Sequence, residues 1–533
     1  MLDRIRQRTY LVARLTRPLI GLPRPIPTPH VCLNLTTSSG SDLAFTRQTN
    51  MANTDSTLDI SPSIAGILNE EHCPEHLQVL KTFTAALRDK EYRDAVEEKA
   101  FSSLLNVLSR LCDELHAASC DDQDLQSVAL QLQLAAECFR AQRNSCVQST
   151  RNQSLLRELG FIDVTLKLLS FFQTAHLESR DGIFEPLRCG IQFLGNLSVG
   201  NQMCKDDIWQ LSFPNLLLQL LSVDDEKVVN YTSMVIHTCL DEAKVEELSD
   251  PQNIQLALRV MELCRTQPDL DWTVLIATQY FLKSSALVES MYSGMSHHER
   301  VTLLELLFAQ LQEDDSCGIP PSVARFLASS FQKCCGAVLT LATGSASNDE
   351  VLQEALTVIS LLDVLCEMTS DHRQFMFLQD HPDLLVTTVE LLGQVHAIGK
   401  ASKNIFSAAQ NFSSFSGDGD ASSHSPVISF KAHLIRLIGN LCYSNTNNQN
   451  KVRELEGIPL ILDNCSIDSN NPFISQWAIF TIRNLLEHNV QNQEQVSALE
   501  RRGTADYSAL KELGFLVEER DGGLLLKTVR KGC

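Results

Sequence analysis

Four asparagines have the residue type and spacing for recognition chemistry. Asn144, Asn196, Asn440 and Asn484 each lie in an apolar helical run, and each is followed by an Asn-Gln pair: Asn152-Gln153, Asn201-Gln202, Asn448-Gln449 and Asn492-Gln493. A carboxamide offers N–H donors and a C=O acceptor, so a row of them would clamp an extended peptide backbone without reading its side chains. The same groups would equally tie each helix to its own neighbouring loop, and the residue types leave both roles open. Four residues before the asparagines stand Arg140, Gln192, Arg436 and Phe480. No tryptophan ladder is therefore present to stack lysine stems, as a nuclear-import groove would need. Arg140 and Arg436 suit acidic or phosphorylated groups, or a solvated helix face.

Other chemical patterns fail on inspection. Gly393–Lys400 has five residues between its glycines where a phosphate-binding loop needs four, and Ala401 replaces the Mg²⁺-binding hydroxyl. It reads as a helix running into a loop. His297-His298-Glu299 has no third ligand at metal spacing and reads as a helix start or solvated loop. Cys334-Cys335 sits in an apolar run and reads as core. No nucleophile–base motif is present. No catalytic residue, metal ligand or cofactor is expected. Ser425-Pro426 and Arg501-Arg502-Gly503-Thr504 match proline-directed and basophilic kinase patterns, which makes Ser425 and Thr504 candidate phosphorylation sites.

The elements that must position the asparagines repeat. Gln449 and Gln493 are 44 residues apart, and Gln153 and Gln202 are 49 apart. A weaker copy, Leu365-Cys366 with Gln374, lies 75 residues before Gln449, and 31 of those belong to a Ser-rich stretch, Gly399–Ser429. Helical solenoid units run ~40–47 residues. Within a unit a short helix follows the Asn-Gln mark, as in Leu155–Leu159 and Lys451–Leu455. Gly160 and Gly457 end it, where a left-handed cap favours glycine. A second helix begins near Asp163 or Pro459, with Pro214 and Pro382 similarly placed. The third helix bears the asparagine, as in Trp477–Leu485. Three helices in this order predict an all-α, armadillo-like, right-handed helical solenoid rather than a two-helix repeat. Phe101, Leu104, Leu105, Leu108, Leu111 and Cys112 trace one face of such a helix.

Bulk composition narrows the function. The 533 residues carry a net charge of −21, and beyond residue 50 there are 37 basic and 63 acidic groups. An acidic body disfavours nucleic acid and anionic membrane and leaves proteins as the expected partners. No apolar run reaches the ~18–20 residues of a membrane span. Seventeen cysteines, an odd number with no secretory leader, read as buried free thiols such as Cys112, Cys239, Cys366 and Cys442.

The expected organisation follows. Residues 1–50 hold seven Arg, no Lys and two acids and read as a disordered Arg/Pro-rich extension, with Met51 as an alternative start. A lead-in covers 51–75, armadillo-like repeats 76–398, a flexible Ser-rich loop 399–429, a C-terminal repeat domain 430–527, and a tail 528–533. Ala509–Leu513 reads as helix. Phe515–Val529 reads as a small hairpin extension turning at Asp521-Gly522.

The run His433–Tyr443, then Asn448-Gln449 through Gly457–Cys465, Asn471-Pro472-Phe473, Ile482–Leu485 and Gly514-Phe515 resembles the C-terminal domain of the ataxin-10 family over about 430–527. The resemblance implies a cytoplasmic, perinuclear armadillo scaffold rather than an enzyme. It implies self-association through the C-terminal domain, for which the repeats Phe430–Leu499 are the expected surface, and contact with the O-linked N-acetylglucosamine transferase and a G-protein β subunit. It also implies roles in neurite growth, neuronal survival and cytokinesis, with centrosome or midbody localisation. An armadillo-type regulator of G-protein nucleotide state is the alternative.

Overall fold

The computed structural model describes residues 61–67, 72–118, 125–174, 180–313, 318–341, 349–370, 373–399, 405–406, 427–466, 468, 470–498, 515–520 and 523–528. Expectations for residues 1–50 and 509–513, and for Ser425 and Thr504, lie outside these residues. The chain divides into two compact units between Met295 and Ser296, within what the sequence presents as one run of repeats.

The first unit begins with α1 (Ser61–Gly66), α2 (Pro74–Ala86), α3 (Lys90–Ala95), α4 (Glu98–Ala118) and α5 (Leu125–Ser145). It continues with α6 (Thr150–Leu159), α7 (Phe161–Thr174), α8 (Arg180–Ser198), α9 (Gln202–Ser212), α10 (Asn215–Leu220) and α11 (Glu226–Cys239). It closes with α12 (Glu242–Leu248), α13 (Ile254–Thr266), α14 (Asp271–Gln279) and α15 (Ser285–Gly294). The order short helix, second helix, long third helix recurs along it. The third helices α2, α5, α8, α11 and α14 pack each on the next.

The second unit contains α16 (His297–Glu313), α17 (Pro321–Cys334), α18 (Ala337–Thr340), α19 (Asp349–Met368) and a 3₁₀ stretch (Arg373–Asp380). Then come α20 (Leu384–Gly399), α21 (Phe430–Cys442), α22 (Thr446–Glu454), α23 (Gly457–Leu462), α24 (Ile474–Leu486) and α25 (Val490–Ala498). Here α16 packs on α19, α19 on α21, and α21 on α24. Both units are armadillo-like helical repeats. Two strands, β1 (Phe515–Arg520) and β2 (Gly523–Thr528), pair antiparallel with Arg520 opposite Gly523, the register expected of strands joined by two residues; Asp521 and Gly522 themselves lie outside the described residues.

Capping chemistry explains where the short helices start. Asp89, Ser149, Asn201, Asp241, Ser284 and Asn445 each accept the backbone N–H three residues on. Such a cap satisfies a donor that the first turn would otherwise leave free. Asn489 does the same for Asn492 N–H at 3.1 Å. Gly160 ends α6 with φ +92°, as its residue type requires. The second glycine behaves differently. Glu456 carries the positive φ, and Gly457 opens α23, where a Cβ would stand 2.7 Å from Val452 Cγ1. Gly457 is there for close approach, not for conformation.

The cores are built chiefly of apolar side chains. Phe101, Leu104, Leu108, Leu111 and Cys112 are buried as the period predicts, while Leu105 is half-buried. Cys112, Cys239, Cys366 and Cys442 are buried free thiols. Burial pushes the Cys204 thiol up to about 11 and that of Cys239 up to about 12, which removes their nucleophilicity at neutral pH. The Ser-rich stretch is anchored in part. Phe406 is buried, its ring lies 6.3 Å from that of Phe430, and its carbonyl accepts from Asn471 Nδ2 at 2.6 Å.

Candidate functional site: the asparagine ladder and the last rung

Each of the four asparagines reaches across to another third helix. Asn144 Nδ2 donates to the Thr84 carbonyl at 3.1 Å, and Asn196 Nδ2 to that of Arg143 at 3.1 Å. Asn484 Nδ2 donates to the Gly439 carbonyl at 3.0 Å, and Asn440 Nδ2 to the Cys366 carbonyl at 3.1 Å and Thr369 Oγ1 at 3.0 Å. In two rungs the acceptor is the residue just before the preceding asparagine, so the amides form a staircase from rung to rung. Asn440 and Asn484 are 5% and 2% exposed, so an incoming peptide meets little of either side chain. Asn144 and Asn196 are half-buried.

A second row of amides runs beside the first. Asn152, Asn448 and Asn492 each donate to the carbonyl seven residues back and to one in the preceding repeat: Arg93, Gln379 and Gln449 respectively. Gln153 and Gln449 donate forward, to the Asn196 and Asn484 carbonyls, both at 2.9 Å. Two of the sequence copies are thereby re-registered. Gln379, not Gln374, does the work of Gln153, donating to the carbonyls of Asn440 and Tyr443 at 3.2 and 2.9 Å. Asn201 is a helix cap, equivalent to Ser149, and Cys204 takes the place of Asn152, with its thiol 3.8 Å from the Gln153 carbonyl. Ladder asparagine, cap five residues on and second-row residue eight residues on then hold for all four rungs.

The arginines beside the ladder are internally engaged. Arg140 bonds Glu137 at 2.8 Å and also Glu185. Arg436 bonds Glu367 at 3.1 Å and Ser370 Oγ at 2.6 Å, and its guanidinium lies 4.9 Å from the centre of the Trp477 ring. The acidic groups expected for Arg140 and Arg436 are thus supplied by the chain. Arg143, which sequence reasoning passed over, donates to Gln192 Oε1 at 2.5 Å and ties α5 to α8.

The remaining patterns resolve as structure. Ser296 and Glu299 form a reciprocal cap at the start of α16: Glu299 Oε2 accepts the Ser296 N–H at 2.8 Å, and Ser296 Oγ accepts the Glu299 N–H at 3.4 Å. The glutamate of His297-His298-Glu299 therefore caps a helix. No cluster of metal-ligating groups occurs among the described residues. Gly393–Gly399 lies within α20. Among the described residues no helix is long and apolar enough to cross a membrane.

The last rung differs from those before it. α5, α8 and α21 each have the next third helix against them, and no described helix follows α25. Phe473, Ile479 and Val490 are 69%, 65% and 64% exposed, and Tyr443 is 52% exposed. Among the described residues Met203 and Leu211 of α9 are the other large apolar side chains so exposed, at 60% and 51%.

A family model described as the spinocerebellar ataxia type 10 protein domain matches residues 430–527. Ataxin-10 of Xenopus tropicalis is 43% identical over 449 residues, covering 83% of this chain and 90% of that protein. Ataxin-10 of Homo sapiens is 40% identical over 461 residues, covering 86% and 95%. An ataxin-10 homolog of Dictyostelium discoideum is 47% identical over 96 residues, covering 18% of this chain and 16% of that one.

Proposed function

The chain belongs to the ataxin-10 family, and from that membership we propose that it is a non-catalytic scaffold that binds signalling proteins and associates with further copies of itself through its last rung. The observation that carries the reading is the exposure of Phe473, Ile479 and Val490 on α24 and α25. Of the three, Ile479 carries the comparison: it stands five residues before its ladder asparagine, and its counterparts Phe139, Ile191 and Ile435 are buried. A second copy would cover it and remove apolar surface from water at about 25 cal/mol per Å².

Family membership favours the O-linked N-acetylglucosamine transferase and a G-protein β subunit as partners. It favours work in the cytoplasm, near the nucleus and at the centrosome or midbody, in neurite growth, neuronal survival and cytokinesis. Phosphorylation of Ser425 or Thr504 would add charge beside this C-terminal region. The four ladder asparagines enter the reading as ties that hold the repeats in line. A peptide-clamp role is left to Asn144 and Asn196, whose side chains are half-buried.

The test uses two differently tagged full-length chains expressed together. Capture of one tag is expected to bring the other, and Phe473→Ser with Ile479→Ser is expected to abolish this while circular dichroism stays unchanged. Undiminished co-capture by the folded double variant would overturn the assignment of the surface.

A further inference from the structure

Between α9 and α12 lies an open groove of about 1090 Å³. Its floor is half-buried Phe213, backed by Trp209, which is 4% exposed; the two rings stack with centroids 4.5 Å apart and planes 16° apart. Its walls carry Asp206, Glu242 and Glu247, with Lys244 joining Asp206 at 2.7 Å and Asp241 at 2.5 Å. Four carboxylates thus face one ammonium, and that ammonium is nearly buried beneath two of them.

Comparison with the neighbouring joints shows what is missing. Eight residues after its cap, α6 carries Arg157, which donates to Asp207 of α9 at 2.6 Å. The same position of α22 is Arg453, which donates to Asn492 of α25 at 2.6 Å. The same position of α9 is Trp209, and its indole Nε1 donates to Glu247 of α12 at 2.7 Å. Glu247 and Asp207 are themselves equivalent, each six residues past its cap. One joint therefore keeps the carboxylate and has exchanged the guanidinium for a neutral N–H donor. Glu247 takes this indole N–H in place of a cation, and exposed Glu242 beside it has no ion-pair partner among the described residues. The exchange leaves a groove with an aromatic floor and walls that are net negative.

We propose that this groove binds a basic segment of a partner protein, with an arginine side chain entering between Phe213, held in place by Trp209 behind it, and the carboxylates of Glu242 and Glu247. A guanidinium suits the place because it satisfies carboxylates through a planar fork and rests on aromatic faces. The site belongs to the first unit and the last rung to the second, and the proposal stands whether or not the chain self-associates.

The probe is a capped pentapeptide, Gly-Arg-Leu-Arg-Gly, compared with its citrulline counterpart, which keeps the shape and loses the charge. Calorimetric titration into the full chain is expected to show saturable binding that weakens as salt rises. The citrulline peptide is expected to bind at least about tenfold more weakly. Glu242→Gln with Glu247→Gln, both at exposed positions, should cut affinity by about tenfold or more. Trp209→Arg should close the joint as Arg157 closes its own, and abolish binding. If Trp209→Arg does not fold, the glutamine pair carries the test alone. Absence of saturable binding, equal binding of the citrulline peptide, or full affinity in the folded glutamine variant would each overturn the proposal.

Discussion

Asn484 donates into a neighbouring rung from a position 2% exposed. Removing its amide strands a buried carbonyl, which costs about 1–3 kcal/mol. Asn440→Ala and Asn484→Ala are therefore expected to lower the urea midpoint clearly, and half-buried Asn144 to lower it less. Equal, negligible shifts would show that the ties carry no stability. His237 provides a second residue-scale test. Burial holds its imidazole below the ordinary value of 6.5, opposed by its bond to Gln279 at 2.9 Å and aided by the charge of Lys205. The unfolded chain then takes up the proton first, so this contribution is complete above 6.5 and declines as pH falls below it. Thermal midpoints between pH 7 and 5.5 should drop more steeply for the wild type than for His237→Gln. The ladder was legible because asparagine recurs in apolar helices, where its amide must find partners. The caps were not, because Asp, Ser and Asn serve that position interchangeably, so a search for Asn-Gln pairs set Asn201 and Gln374 in the wrong register.

Helices approach closely where glycine permits it. A Cβ on Gly439 would meet Thr481 Oγ1 at 2.5 Å and the Phe480 ring at 3.0 Å. Thr481 is itself fixed by a bond to the Ile435 carbonyl at 2.8 Å. A Cβ on Gly195 would meet chiefly the terminal methyl of Met234, which turns aside easily. Gly439→Ala is expected to cost about 1–3 kcal/mol by forcing α21 from α24, and Gly195→Ala distinctly less. Denaturant titration of the two variants decides it, and equal costs would mean that the helices shift without penalty. Charge acts at this scale too. Burial pushes the Asp225 carboxyl up, but bonds from Arg188, at 3.0 Å from Nε, and from the Val228 N–H hold it below its ordinary value on balance. Its contribution, a tie between α8 and the start of α11, is present at neutral pH and lost only as pH falls through that lowered value. The three-helix order and the hairpin register were legible from apolar period, glycine breaks and the Asp521-Gly522 turn. The α9–α12 groove was not, since Trp209 gains its meaning only when its position is compared with those of Arg157 and Arg453 in their own repeats.

Across the whole molecule, repeated helices bury their apolar faces against the next rung, and the final rung leaves Phe473, Ile479 and Val490 to water. The division between Met295 and Ser296 escaped sequence reading because short apolar helices continue through it without a change of composition. Self-association is the central claim, and sedimentation velocity of the full chain over a wide concentration range tests it most directly. The wild type should shift to larger species as concentration rises, and Phe473→Ser with Ile479→Ser should sediment as a folded monomer throughout. A wild type that stays monomeric at tens of micromolar, or a folded double variant that assembles as the wild type does, would contradict it.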